Sequence, residues 1–381
     1  MSRDIAPTLQ TLSKRASAVG AIALAISAIG AWFDPTAFFR SYFIAWLFFV
    51  GIGSGSLLEV ALHELTGGSW GLVLRAPLEG AMATLPLLSL LVLPLAFGLP
   101  HVFSWAQASG GDANPVVGAK SWWLNEPFFL LRGVVILGLW SAFAMLLRKR
   151  LMHARVHSAA SRNVLPILCV IVYFITVTVA AFDWIASLVP EWYSSAIGLR
   201  LGVSQALGAF AFAVPAAILI ARAEALPPAA RPRDFQDLGN LLLTFAMLWA
   251  YIAYTEFLII WAEDLPHETS WYLPRVQTSW RWLAVLLLIL EFALPVFAML
   301  FRRVKTNSTL LAALCLAVVI GQWFDTLWLV APSLRSAGFA IHWMDVMVTI
   351  GLGGVCIAWG ALALDRHPHA LSLARREALN G

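Results

Sequence analysis

Charged residues are scarce in this chain, and their scarcity excludes most soluble folds. Only 12% of the 381 residues are charged, whereas 60% are hydrophobic. A typical soluble domain has about a quarter of its residues charged. The long apolar stretches instead predict an all-α integral membrane protein surrounded by a lipid bilayer, because a helix satisfies its own backbone hydrogen bonds in lipid. The net charge of +4 is therefore no indication of nucleic-acid binding.

Cysteine and histidine are also rare. The three cysteines, Cys169, Cys315 and Cys356, lie inside apolar stretches without paired spacing. This pattern indicates neither a disulfide framework nor an iron–sulfur or zinc site. Of the eight histidines, His101 and His342 lie near the same side of the membrane but close to helix ends, which disfavours a haem ligated by the pair. We therefore expect no metal, no haem and no covalently bound cofactor.

Two short stretches resemble functional motifs but do not match them. HELTG, which begins at His63, lacks the second histidine of the HExxH zinc-protease motif. GIGSGS, which begins at Gly51, lies inside an apolar stretch rather than between a strand and a helix. Gly51 and Gly55 have the four-residue spacing that lets two membrane helices pack closely, so we predict packing there and no nucleotide site.

About ten stretches are long enough to cross the ~30 Å hydrocarbon core at ~1.5 Å per residue. Their approximate ranges are 16–33, 40–63, 77–100, 126–148, 163–189, 195–221, 238–262, 280–301, 308–330 and 341–364. The whole chain, 1–381, is predicted to form one transmembrane domain. It is divided into helices one to six (about 16–221), a linker (222–237), helices seven to ten (about 238–364) and a tail (365–381).

The positive charges predict the orientation of these spans. With the N-terminus inside, most of the 25 Lys and Arg residues fall in cytoplasmic segments. The positive-inside rule therefore predicts a multi-pass protein with both termini cytoplasmic, and the tail after residue 364 would be a cytoplasmic tail. The first span is short enough to be a signal peptide, whose removal would leave nine spans.

Several ionisable residues lie within the apolar spans. A charge at membrane depth costs about 2.5–3.5 kcal/mol on insertion scales, so each is a functional candidate. The candidates are Glu59 and His63 toward the cytoplasmic side, Glu291 near the middle, and Asp183, Glu256, Asp325, His342 and Asp345 toward the outer side. They suit a chain of protonatable groups or a quinone head-group site. In the alternative interpretation each acid caps a helix or pairs with an arginine.

One stretch carries a family resemblance. Asn240–Arg275, NLLLTFAMLWAYIAYTEFLIIWAEDLPHETSWYLPR, resembles the ActF-like membrane subunits of alternative complex III. Three further stretches are similar: Ser41–Glu79, Ala181–Gly198 and Asp325–Leu334. The resemblance implies the ten-helix fold of the NrfD-like, polysulfide-reductase-anchor-like proteins. The chain is more acidic than the family pattern at Glu64, Glu256 and Asp264.

The resemblance also implies a role. Such subunits work in the bacterial inner membrane, in a respiratory quinol:cytochrome c oxidoreductase. Its other parts are iron–sulfur and multihaem cytochrome c subunits and a second NrfD-like membrane subunit, and a terminal oxidase is a further partner. We therefore expect a subunit without its own redox cofactor that binds quinone or quinol, conducts protons, or does both. Two alternatives stay open: a purely structural scaffold, and a proton-coupled secondary transporter suggested by proline-interrupted helices.

Overall fold

The structure, a computed structural model, describes residues 6–107, 115–152, 164–223, 232–335 and 337–366. Its regular elements are all helical. In chain order the α-helices are α1 (Ala6–Phe33), α2 (Pro35–Thr66), α3 (Ser69–Met82), α4 (Leu85–Leu90), α5 (Leu93–Val102), α6 (Pro115–Ala119), α7 (Glu126–Met152), α8 (Val164–Trp184), α9 (Ile197–Ala223), α10 (Pro232–Glu263), α11 (Pro266–Gln277), α12 (Arg281–Leu287), α13 (Leu294–Met299), α14 (Arg302–Thr306), α15 (Ser308–Leu334) and α16 (Trp343–Arg366).

Ten helical segments of the described chain are long and apolar enough to cross a membrane. They are Ala6–Phe33, Pro35–Thr66, Ser69–Leu90, Glu126–Met152, Val164–Leu188, Ile197–Ala223, Phe235–Glu263, Arg281–Met299, Ser308–Leu334 and Trp343–Arg366. The predicted all-helical architecture, with ten helices long and apolar enough to cross a membrane, is thereby confirmed for the described residues. The cytoplasmic location of both termini stays a prediction.

The third span differs from the predicted range of 77–100. It begins at Ser69 and ends at Leu90, and a turn at residues 83–84 divides it into α3 and α4. A second turn, at residues 91–92, leads to the separate short helix α5. Each of the last two helices has a proline in its first two positions, Pro86 and Pro94. Proline lacks a backbone N–H and clashes with the preceding turn, so it starts a new helix more readily than it continues an old one.

The predicted linker of residues 222–237 is shorter in the structure. Helix α9 continues to Ala223 and α10 begins at Pro232, a position at which proline is well tolerated. The remainder of that linker lies outside the described residues, and so does the predicted tail beyond Arg366.

Helix α2 is almost wholly buried at the centre of the bundle. Its contact with α9 depends on glycine, because a Cβ at Gly55 would overlap the carbonyl oxygen of Gln205. A Cβ at Gly51 would lie 3.3 Å from the side chain of the same glutamine. The close packing predicted for this glycine pair is thereby confirmed. Glycine also allows the first and last helices to pack closely. A Cβ at Gly354 of α16 would lie 2.6 Å from the carbonyl oxygen of Ala16 of α1.

A π-helical segment, Leu288–Ala293, separates α12 from α13. Pro295 follows it, and its ring nitrogen has no hydrogen to offer to the carbonyl of residue 291. The helix accommodates this proline with a widened, π-helical turn, a feature that often occurs at functional sites. Glu291 lies within that turn and is fully buried.

Candidate functional site: a buried charge network

Arg200, near the start of α9, lies at the centre of a charge network inside the bundle. Its side chain is 3% exposed. One terminal nitrogen lies 3.1 Å from Oε2 of Glu256 on α10, and the other lies 3.4 Å from Oδ1 of Asp325 on α15. A single guanidinium is therefore shared by two carboxylates from different helices. Sequence reasoning selected both acids, and the structure brings them together.

Neutral hydrogen-bond donors also contact the two carboxylates. The hydroxyl of Ser194 donates to Oε1 of Glu256, and that of Ser204 donates to Oδ2 of Asp325 at 2.6 Å. The indole N–H of Trp249 donates to the Ser204 oxygen at 3.2 Å. Since each charge has several partners in a medium of low dielectric constant, these hydrogen bonds hold the network rigidly.

A second arginine, Arg275 of α11, lies beside this network and is only 1% exposed. It donates to three backbone carbonyls and stacks 3.3 Å from the ring centroid of Trp271, a cation–π contact. Together Arg200 and Arg275 match the charges of Glu256 and Asp325. Burial, reinforced by the nearby Glu256 carboxylate, raises the pKa of Tyr272, so this phenol remains a hydrogen-bond donor.

Glu291 is a third acid near this network, and it has no arginine partner among the described residues. Its Oε2 accepts a 2.7 Å hydrogen bond from the Gln322 amide, and its Oε1 has no partner among the described residues. It lies close enough to Asp325 for the two charges to repel each other. An unmatched buried carboxylate is costly, so Glu291 suits a group that takes up and releases a proton.

A small cavity lies beside these groups, at the junction of α2, α9 and α15. Its volume is about 20 Å³. Since about 10–15 Å³ accommodates one water molecule, there is room for roughly one. The polar residues that line it are Ser204, Gln205, Gln322, Asp325 and Thr326. Such a water would lie between the Glu291–Gln322 pair and the Arg200 network.

On its other side the cavity leads toward Glu59 of α2. The Oε1 atom of Gln205 accepts hydrogen bonds from Tyr173 at 2.8 Å and from Ser54 at 2.7 Å. Tyr173 in turn lies within electrostatic range of Glu59. Glu59 is 1% exposed, and neither of its carboxylate oxygens has a hydrogen-bond partner among the described residues. Glu59 is therefore a buried acid near Tyr173, and the Tyr173 hydroxyl bonds to Gln205 at the edge of the cavity.

His63 lies one turn beyond Glu59 on α2, as its four-residue spacing predicts. Its Nε2 atom is 3.0 Å from the carbonyl oxygen of Gly68, and its ring occupies space that a Cβ at Gly71 would fill. Close by, Arg75 bridges Glu64 at 3.5 Å and Glu79 at 2.8 Å. The polar character of this end of the bundle thus continues from Glu59 toward the surface.

The other three candidates bond to different partners. Asp183 accepts two hydrogen bonds from Arg132, at 2.6 and 2.8 Å. Asp345 likewise accepts two from Arg335, at 2.6 and 2.7 Å. His342 precedes α16, and its backbone N–H donates to Asp345 at 2.8 Å. These contacts favour the alternative interpretation for Asp183 and Asp345, in which an acid pairs with an arginine.

Sequence reasoning missed several members of the network. The list of candidates from the sequence includes neither Arg200 nor the neutral residues Tyr173, Gln205 and Gln322. The available signal was a set of polar side chains inside otherwise apolar spans. Such residues are costly in lipid and face the bundle interior. No three His, Cys, Asp or Glu side chains of the described chain are placed to hold a metal ion.

The sequence matches no known family model, and no curated protein is similar to it.

Proposed function

We propose that this protein is a proton-conducting membrane subunit of a respiratory quinol:electron-acceptor oxidoreductase of the alternative complex III type. The observation that supports this most is the buried series of protonatable groups from Glu59 through the cavity to Glu291, Asp325 and Glu256. A membrane protein bears the cost of so many buried ionisable groups mainly where they conduct ions or protons.

Each part of the series has a chemical role in this proposal. Glu59 and Glu291 lack a matched cation, so they take up and release protons. Water molecules would carry protons between them, and the Gln205 amide oxygen would hold the Tyr173 and Ser54 hydroxyls in position beside that path. Arg200 holds Asp325 and Glu256 together, and their hydroxyl partners keep both carboxyl groups in position.

The link to quinol rests on the resemblance of Asn240–Arg275 to NrfD-like subunits. Quinol oxidation releases two protons and two electrons. Carboxylates such as Glu256 would accept the protons, whereas the electrons would pass to iron–sulfur and multihaem cytochrome c partners. A second NrfD-like subunit would lie beside this one in the bacterial inner membrane, with both termini of the chain cytoplasmic and a terminal oxidase as a further partner.

The decisive experiment replaces Glu256 or Glu291 by glutamine in the assembled complex. We expect each variant to assemble normally but to lower quinol-driven proton release by at least about tenfold, since a positioned proton carrier contributes 10²–10⁴-fold. Glu126→Gln is the matched control, because Glu126 is an exposed residue at the start of α7. Unchanged quinol oxidation and proton release in both variants would contradict the proposal.

The two alternatives predict different results. A structural scaffold would tolerate both glutamine substitutions, and quinone analogues would label a partner subunit only. A secondary transporter would catalyse ion-coupled solute uptake in liposomes without redox partners. The size of the central cavity, about 20 Å³, suits a water molecule better than a larger solute and so favours proton conduction.

A further inference from the structure

Four cationic side chains cluster at one end of the bundle, where α9, α10, α14 and α15 meet. We call them the basic patch: Arg222 of α9 and Arg302, Arg303 and Lys305 of α14. The Nη2 atom of Arg222 donates to the hydroxyl of Thr309 on α15 at 2.9 Å. The Nζ atom of Lys305 donates to Oδ1 of Asn240 on α10 at 2.8 Å. These two bonds hold the patch across the junction of the four helices.

The basic patch has no counter-charge in contact with it among the described residues. None of its four cations lies within 4.0 Å of a described carboxylate oxygen, and both of its hydrogen-bond partners are neutral. Asp237, one turn before Asn240 on α10, offsets at most one of the four charges. Arg75 of α3, at the same end of the bundle, differs because it bridges two carboxylates. The patch is therefore complementary to an anion.

Exposed apolar residues border the basic patch. Leu219 lies one turn before Arg222 and is 64% exposed, and Leu300 and Phe301, directly before Arg302, are 70% and 65% exposed. All three belong to, or directly follow, helical segments that are long and apolar enough to cross a membrane. Apolar side chains of this kind face acyl chains, whereas long cationic side chains at helix ends reach the head groups. The position of the patch therefore selects a ligand that is anionic at one end and apolar at the other.

We infer that the basic patch binds the head group of an anionic phospholipid. Phosphate oxygens accept paired N–H groups from an arginine guanidinium, and a lysine ammonium adds a compact charge. Basic pockets between membrane helices bind such head groups. The acyl chains lie along the apolar border formed by Leu219, Leu300 and Phe301. A zwitterionic head group suits the site less well, because its own cation would meet the four positive charges.

Native mass spectrometry of the purified full-length protein, titrated with phosphatidylglycerol in detergent, tests the inference. Arg302→Gln/Arg303→Gln removes two charges from the patch. Lys14→Gln/Arg15→Gln is the matched control, because it removes two adjacent exposed charges of α1 near the same end of the bundle. Each cation near a membrane surface contributes roughly fivefold to the affinity for anionic lipid. We therefore expect the Kd for the first lipid bound to rise by at least about tenfold in the patch variant and to stay unchanged in the control.

Further arms of the experiment separate charge from fold, and lipid from other anions. Arg302→Lys/Arg303→Lys should lose much less affinity than the glutamine variant, since it keeps both charges, and phosphatidylcholine should bind all variants alike. Equal losses in the patch variant and the control, or in the glutamine and lysine variants, would overturn the inference. So would displacement of phosphatidylglycerol by an equal concentration of inorganic phosphate, which indicates a soluble anion, or of polyglutamate, which indicates an acidic protein segment. None of these outcomes depends on the proposed proton path.

Discussion

Arginine meets carboxylate in two distinct ways in this molecule. Arg132 gives two nitrogens to the two oxygens of a single residue, Asp183, at 2.6 and 2.8 Å. Arg200 divides its nitrogens between two acids on different helices, at 3.1 and 3.4 Å. The first arrangement is a closed, bidentate pair, and such pairs are short and strong. The second is longer and shared.

This difference separates acids that stabilise the fold from acids suited to proton transfer, although both kinds look alike in the sequence. Protonating Asp183 would leave Arg132 as a buried cation without a counter-charge, which is costly. Protonating Asp325 would leave Arg200 still paired with Glu256. The shared network can therefore change its charge by one proton, whereas the closed pairs hold helices together.

The largest expected loss of stability comes from breaking the closed pair of Arg132 and Asp183. We predict that Asp183→Asn destabilises the protein by about 3–5 kcal/mol, because removing one partner strands the Arg132 guanidinium in the interior. Chemical unfolding in micelles measures this change. Glu126→Gln, an exposed acid on the helix that carries Arg132, should change stability by less than about 0.5 kcal/mol. A loss for Asp183→Asn as small as that of the control would contradict the comparison.

Asp325→Asn should cost less, about 1–3 kcal/mol. Arg200 keeps Glu256 as its counter-charge, and an amide oxygen can still accept the hydrogen bond from Ser204. The same unfolding measurement applies, together with quinol-driven proton transfer in the assembled complex, which should fall sharply. The comparison fails if Asp325→Asn is as destabilising as Asp183→Asn.

Glycines distinguish the centre of the bundle from its periphery. Gly55→Ala places a methyl group onto the Gln205 carbonyl and should destabilise the protein by about 1–3 kcal/mol through overpacking. A Cβ at Gly138 of α7 meets no atom within 4 Å. Gly138→Ala should therefore stabilise the helix by about 0.5–1 kcal/mol. Differential thermal melting of the two variants should show shifts of opposite sign, and shifts of the same sign would refute this account of the packing.

Gly321→Ala is the mildest probe of the shared network. A Cβ there would lie 2.9 Å from Cγ of Glu291 and 3.2 Å from its Oε1 atom. Glu291 is fully buried and must shift to make room, so we expect a destabilisation of about 1 kcal/mol. Glu291 would nevertheless move relative to Gln322, and proton transfer should slow more than melting shifts. Equal effects on both measurements would argue against a positioned proton carrier.

The sequence predicted the parts of this fold that depend on local chemistry. The apolar lengths predicted ten spans, and the spacing of Gly51 and Gly55 predicted close packing. The predicted range of the third span lies too late in the chain, because new helices begin at Leu85 and Leu93, each with a proline in its second position. Their turns depend on local backbone geometry that composition does not show.

The candidate site was predictable only in part. The cost of burial selected Glu59, Glu256, Glu291 and Asp325. Of these acids, Asp325 lines the central cavity and shares Arg200 with Glu256. The same criterion also selected Asp183, because depth says nothing about which arginine faces an acid across the bundle. The role of Arg200 depends on the packing of α9 against α10 and α15, and that packing is a tertiary property.

The most direct test of the proton path is Glu59→Gln. Neither oxygen of Glu59 bonds to a described residue, so the amide removes a titratable group without breaking a hydrogen bond of the described chain. Proton transfer across the membrane is measured during quinol turnover by the reconstituted complex. The account predicts normal assembly and a fall in proton transfer of at least about tenfold. A normally assembled variant that transfers protons at the original rate would contradict it.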